Sequence, residues 1–127
     1  MKHHDLFDEE LFAEDKNGNN ILHYTCRNQN EKILTSVLIE LKKTPEKLKE
    51  MLKKKGKNNK TPLLLASEHY FSKKNFIILV ETLREHNLIN VELFTEDKNG
   101  NNILFNSCHT GNKKIFNSDA KVSIIIL

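Results

Sequence analysis

Two segments carry residue types that hold cations. Asp15-Lys16-Asn17-Gly18-Asn19-Asn20 and Asp97-Lys98-Asn99-Gly100-Asn101-Asn102 put oxygen donors at alternate positions. A twelve-residue calcium loop does the same at its positions 1, 3 and 5, but it also needs a glycine at position 6 and a bidentate glutamate at position 12. Here Asn20 and Asn102 stand at the sixth place, Leu22 and Leu104 at the apolar eighth, and Cys26 and Cys108 at the twelfth. One carboxylate in each loop is too few for Ca²⁺. Both segments therefore read as polar turns, and a Ca²⁺- or polyanion-binding module is the lesser alternative.

The other reactive side chains give no stronger chemistry. Cys26 and Cys108 are the only cysteines. A pair of thiols is not a disulfide framework, so a reducing compartment and a cytoplasmic location are expected. The two cysteines stand at the same place in two copies of one segment. With packed helices roughly 10 Å apart, copies two units apart lie about 20 Å from each other, too far for a bridge. They are expected as small buried residues. His3 and His4 are terminal, and His69 and His109 have no cysteine or carboxylate at ligand spacing, so no metal is expected. The chain contains no G-x-S-x-G, P-loop, H-E-x-x-H or G-x-G-x-x-G sequence, so no catalytic residue and no cofactor are assigned. Lys53, Lys54, Lys55, Lys57 and Lys60 form a basic run in one place only. Glu9, Glu10, Asp15 and Glu92, Glu96, Asp97 flank the corresponding turns with acids. No basic stripe runs along the chain, which argues against a nucleic-acid groove.

These residues must be positioned by repeated elements. Residues 11–26 read LFAEDKNGNNILHYTC and residues 93–108 read LFTEDKNGNNILFNSC, with differences only at Ala13/Thr95, His23/Phe105, Tyr24/Asn106 and Thr25/Ser107. The offset is 82 residues, twice 41, and GKNNKTPLLLA at 56–66 supplies the unit between them. Each unit opens with a polar turn (DKNGN, GKNNK, DKNGN), and Asn-Gly favours a tight turn because both residues tolerate positive φ. A short first helix follows near Ile21, Pro62 or Ile103, with Thr61 as an N-cap and Pro62 in the first turn. A second helix is expected through Ile33, Leu34, Val37, Leu38 and Leu41, and through Phe76, Ile77, Leu79, Val80 and Leu83 after two extra residues at Tyr70–Lys73. Thr44-Pro45-Glu46 starts a third helix with Leu48, Met51 and Leu52 on one face, and Phe7/Leu11 and Ile89/Leu93 hold the matching positions. The expected core is Leu22, Ile33, Leu38; Leu63, Ile77, Val80; and Leu104, Ile115.

Composition agrees with a single small domain or short solenoid. The chain has 127 residues, 38% of them hydrophobic and 29% charged, with a net charge of +3. The first residues, MKHHDLFDEE, carry early acids and no apolar run, so no signal peptide is expected. No stretch approaches the roughly 18 consecutive apolar residues of a membrane-spanning helix.

The pattern resembles the ankyrin repeat, whose motif runs D-x-x-G-x-T-P-L-H-x-A before an apolar second helix. Asp15, Gly18, Leu22 and His23 match it in the first copy, Thr61, Pro62, Leu63 and Ala66 in the second, and Asp97, Gly100, Leu104 and Gly111 in the third. The resemblance covers roughly residues 5–116. The unit is longer than the family's, which implies the extra linker helix, and Gly56 and Asn59 replace the motif's Asp and Gly. The resemblance implies an all-α repeat solenoid of about three units (about 5–44, 45–86 and 87–116) with tight turns between helices. Residues 117–127 form a degenerate apolar tail or the truncated end of an array. It further implies a protein-binding adaptor or scaffold that is not an enzyme. Extended, Lys/Asn-rich repeats of this kind are similar to ankyrin proteins of intracellular bacteria, which makes an effector acting in the host cytosol a further expectation. The alternative is a targeting fragment of a larger effector enzyme. Carried over by position, the binding residues are the turn tips Lys16, Asn17, Asn19, Lys57, Asn58, Lys60, Lys98, Asn99 and Asn101, with Arg27, Asn28, Glu68, His69, His109 and Thr110 on the first-helix face. A monomer is expected, with a dimer through residues 122–127 as the alternative.

Overall fold

A computed structural model describes residues 10–27, 31–68 and 73–109, with side chains at all of these except 73 and 107–109. The tail 117–127, Phe7, and the Tyr70–Phe71–Ser72 stretch lie outside the described residues. Every regular element among the described residues is helical. The α-helices are α1 (Ile21–Arg27), α2 (Glu31–Leu41), α3 (Pro45–Lys53), α4 (Pro62–Ser67), α5 (Lys73–Glu85), α6 (Ile89–Leu93) and α7 (Ile103–His109), and a 3₁₀ turn covers Lys57–Asn59. No helix among them is long and apolar enough to cross a membrane.

The helix starts follow from local side-chain chemistry. Thr61 Oγ1 accepts the Leu64 amide at 3.2 Å and Pro62 occupies the first turn of α4. The equivalent residues also cap. Asn20 Oδ1 accepts the Leu22 amide at 2.9 Å, and Asn102 Oδ1 accepts the Phe105 amide at 2.9 Å. Each cap satisfies a backbone donor that a helix start would otherwise leave unpaired. Pro45 starts α3, whose Leu48, Met51 and Leu52 are all buried.

The first helices pack in a row, α4 touching α1 on one side and α7 on the other. The second helices α2 and α5 touch each other, and each packs against its own first helix, α1 or α4. The linker helix α3 joins α2 to α4, and α6 joins α5 to α7. Leu22, Leu34, Leu38, Leu41, Leu48, Leu52, Leu63, Leu64, Phe76, Leu79 and Leu83 belong to one continuous buried cluster. Each of these large side chains contributes roughly 1.5–3 kcal/mol by leaving water.

Several expected core positions need correction. Ile33 is 42% exposed, because the buried stripe of α2 is Leu34, Leu38 and Leu41 and the preceding residue points about 100° away from it. Ile33 instead lines a shallow apolar groove with Lys32, Ser36, Val37 and Glu40. Ile77 and Leu104 are only half-buried, whereas their neighbours Phe76 and Ile103 are buried. Ile115 lies outside the described residues. Leu34, Leu38 and Leu41 correspond in burial to Phe76, Val80 and Leu83, an offset of 42. The middle unit thus carries one extra residue before its second helix rather than two.

Candidate interaction surface

The three polar turns share one hydrogen-bond plan. The amide of Asp15 donates to the Asn19 carbonyl, that of Gly56 to Lys60, and that of Asp97 to Asn101, each at 2.9 Å. Inside each loop the amides of Gly18, Asn59 and Gly100 return to the carbonyls of Asp15, Gly56 and Asp97, each at 3.0 Å. Such a loop needs a left-handed residue at its fourth place. Gly18 and Gly100 supply it with φ of 85° and 83°, and Asn59 supplies it in the middle turn with φ of 59°. The Asp15 carboxylate accepts the amides of Asn17 and Asn19 at 2.9 Å, and Asp97 Oδ1 accepts those of Asn99 and Asn101 at 2.8 and 3.0 Å. The Tyr24 hydroxyl also donates to Asp15. That bond, followed by the Asn19 and Asn17 amides, holds the Asp15 carboxyl far below the usual carboxylate range. The acids that resembled calcium ligands thus close their own turns.

Adjacent turns are tied together. The Lys57 amide donates to Asn19 Oδ1 at 3.1 Å, and the equivalent Lys98 amide donates to the Asn58 carbonyl at 2.8 Å. His23 makes the deepest of these links. The Asn20 amide donates to His23 Nδ1 at 3.0 Å, which leaves the proton on Nε2, 3.0 Å from both the Lys54 and the Lys60 carbonyl. Burial holds the imidazole pKa below its ordinary value. Gly56 sits directly against this junction, so close to Asn19 and His23 that a side chain has no room there.

This packing sorts the residues assigned to binding. Lys16, Asn17, Lys57, Asn58, Lys98 and Asn99 are exposed, as is Arg27 at the end of α1. Asn19 is buried, its side chain bonded to Asp15 and to the Lys57 amide, so it joins two turns and is not offered to a partner. Lys60 and Glu68 are half-buried and pair with each other at 2.7 Å, and Asn101 is half-buried. Asn28, His69 and Thr110 lie outside the described residues, and His109 ends α7 with its side chain outside the description. The same holds for the Cys108 side chain. Cys26 is fully buried, and burial pushes its thiol pKa up, so it is packed rather than poised as a nucleophile.

The basic run is largely engaged within the fold. Lys54 pairs with Glu14 at 3.4 Å, Lys55 Nζ reaches the Glu96 carbonyl at 3.4 Å, and Lys60 holds Glu68. Lys53 and Lys57 stay exposed. The acids that pair with this run are Glu14 and Glu68, and of the flanking acids noted in the sequence Glu96 meets it only through its backbone carbonyl.

Sequence reasoning missed two kinds of residue here. Asn20 and Asn102 are N-caps, signalled by an asparagine immediately before an apolar run. Glu92 is buried on α6, and nothing in its charged neighbourhood announced that. Its pKa is raised by burial, opposed by a hydrogen bond from the Thr61 side chain, and its Oε1 has no hydrogen-bond partner among the described residues. A raised folded pKa means the native state holds the proton more tightly than the unfolded chain. The group's contribution is therefore full below about pH 4.5 and is lost as the pH rises through the folded value. Glu92→Gln keeps the shape and the acceptor for Thr61. It is expected to raise stability at pH 7 by on the order of 1 kcal/mol and to flatten the decline above pH 4.5. Urea titrations at pH 4.5 and pH 7 check this, and a loss of stability at pH 7 would contradict it.

Compared with family models, with curated proteins and with solved structures, the chain matches none.

Proposed function

We propose that the chain is an ankyrin-type repeat array whose turn tips bind another protein. The observation that carries this reading is the threefold recurrence of one turn hydrogen-bond pattern at a spacing of 41 residues, with a lysine and an asparagine exposed at each tip. The Lys57–Asn19 and Lys98–Asn58 hydrogen bonds hold neighbouring tips in a fixed order, so the six side chains form one rigid, polar, cationic edge. A rigid edge loses little conformational entropy on binding, which favours recognition by many modest contacts. Lysine and asparagine there suit an acidic, hydrogen-bonding protein surface. The family resemblance supports the same face, and it suggests eukaryotic cytosol as the source of partners, with the chain acting as an effector-type adaptor.

The test has two stages. Proteins retained from nuclease-treated eukaryotic cytosol are identified, purified and titrated against the chain by calorimetry. The same titration uses a chain with Lys16, Asn17, Lys57, Asn58, Lys98 and Asn99 all changed to Ala, shown to be folded by circular dichroism. The expected result is a loss of at least about a hundredfold in affinity, roughly 2.7 kcal/mol. Equal affinity for both forms would reject the tip edge as the binding surface.

A further inference from the structure

The chain contains two Asn-Gly pairs, Asn17-Gly18 and Asn99-Gly100, and both sit at turn tips. Asparagine is a chemically labile residue. It is most so before glycine, which puts no side chain in the way of its own backbone nitrogen. The middle turn has Asn58-Asn59 at the same place, where the second side chain hinders that approach. The structure adds a restraint. The Gly18 amide donates to the Asp15 carbonyl and the Gly100 amide to the Asp97 carbonyl, each at 3.0 Å. A nitrogen so engaged must release its hydrogen bond, and its peptide plane must turn, before it reaches the preceding side chain. The aspartate at the start of each turn holds the turn shut. The Asp15 carboxylate accepts the amides of Asn17 and Asn19 at 2.9 Å, and Asp97 Oδ1 accepts those of Asn99 and Asn101 at 2.8 and 3.0 Å.

We propose that Asn17 and Asn99 are self-modifying sites, deamidated without an enzyme at a rate that each turn's own aspartate sets. The Gly18 nitrogen attacks Asn17 Cγ and gives up its proton, the side-chain nitrogen leaves as ammonia, and a cyclic imide closes. Water then opens the imide at either carbonyl, which leaves aspartate or isoaspartate at position 17. The same steps run through Gly100 at Asn99, and no oxidant or other reactant enters. The reactive form is the opened turn, so the rate follows the free energy of local opening rather than that of whole-chain unfolding. Each event turns a neutral amide into a carboxylate and lowers the net charge of +3 by one. Isoaspartate also routes the main chain through the side chain, which lengthens the loop that the Gly18–Asp15 hydrogen bond closes. The modified tip therefore differs in both charge and shape. Any effect on partner binding rests on the tip reading above, whereas the reaction itself does not.

Peptide mapping of the full chain, aged at neutral pH, tests this, with aspartate and isoaspartate measured at each site by mass spectrometry against synthetic standards. Conversion is expected at positions 17 and 99, giving both products at a rate that rises with pH, and at least about tenfold more slowly at Asn58. In concentrated urea both sites are expected to react at least about tenfold faster than in the folded chain. Asp15→Ala opens the first turn and is expected to speed Asn17 by about tenfold, a change that two lost hydrogen bonds account for. Asn99 in the same molecule keeps its native rate and serves as the control. Asp97→Ala is expected to do the reverse. The urea comparison uses the native chain and decides even where a variant fails to fold. Asn17 and Asn99 reacting no faster than Asn58, equal rates in the folded and unfolded chain, or a folded Asp15→Ala variant that speeds both sites alike or neither would each overturn the proposal.

Discussion

His23→Ala is expected to lower the unfolding free energy by about 3–5 kcal/mol, the largest effect of any single change considered for this chain. The substitution removes a buried ring and strands two backbone groups, the Asn20 amide and the Lys54 carbonyl, while the Lys60 carbonyl is left with the Gly56 amide alone. Since a domain of this size is stable by only about 5–15 kcal/mol, the variant sits near the limit of folding. The imidazole also gives a pH signature. Its folded pKa lies below the ordinary value of 6.5, so the unfolded chain takes up the proton first. The stability it contributes is fully present above about pH 6.5 and is lost as the pH falls through the folded value. Burial takes the ring out of water, which is why the charged form is disfavoured in the folded state. Urea unfolding of the native chain and the variant at pH 7.5 and pH 5.5 should show the difference between them shrinking in acid. A difference that stays constant would reject His23 as the titrating group.

Gly56→Ala is expected to cost about 2–3 kcal/mol through overpacking. The backbone φ there is −99°, outside the left-handed region, and the cost argued here is one of space. An added Cβ would lie 1.8 Å from Asn19 Oδ1 and 3.1 Å from His23 Nε2. Asn19 cannot swing aside without releasing the Lys57 amide and Asp15. Asn19→Ala removes the obstruction, so the double variant should be less destabilised than the sum of the single ones, by at least about 0.5 kcal/mol. A Gly56→Ala variant as stable as the native chain, or strict additivity, would contradict this account. Aspartate stands at the equivalent positions of the other two turns, so only the close approach of Asn19 explains why the middle turn has glycine.

The repeat, its spacing, the turns, the capping role of Thr61 and the linker helix Pro45–Lys53 were all legible in the amino-acid sequence. Each depends on contacts among residues a few places apart, and residue type alone settles those. Asparagine before an apolar run caps a helix, glycine or asparagine takes positive φ, and leucines a turn or so apart share a helix face. Burial was less legible. Asn19 reads as a solvent-facing tip residue, but it is buried because the next turn, 38 residues away, lies over it and donates to its oxygen. Ile33 reads as core until the packing of α2 against α1, α3 and α5 chooses Leu34, Leu38 and Leu41 instead. Gly56 reads as a departure from the expected aspartate until the side chain that fills its space is in place. His23 and Phe105 hold equivalent positions, yet Phe105 is 55% exposed while His23 is buried, with the carbonyls of Lys54 and Lys60 from the next turn against its ring. The sequence by itself thus determined the local elements and their order. Which faces are covered was decided by tertiary structure, because cover is supplied by the neighbouring unit and no nearby residue encodes it.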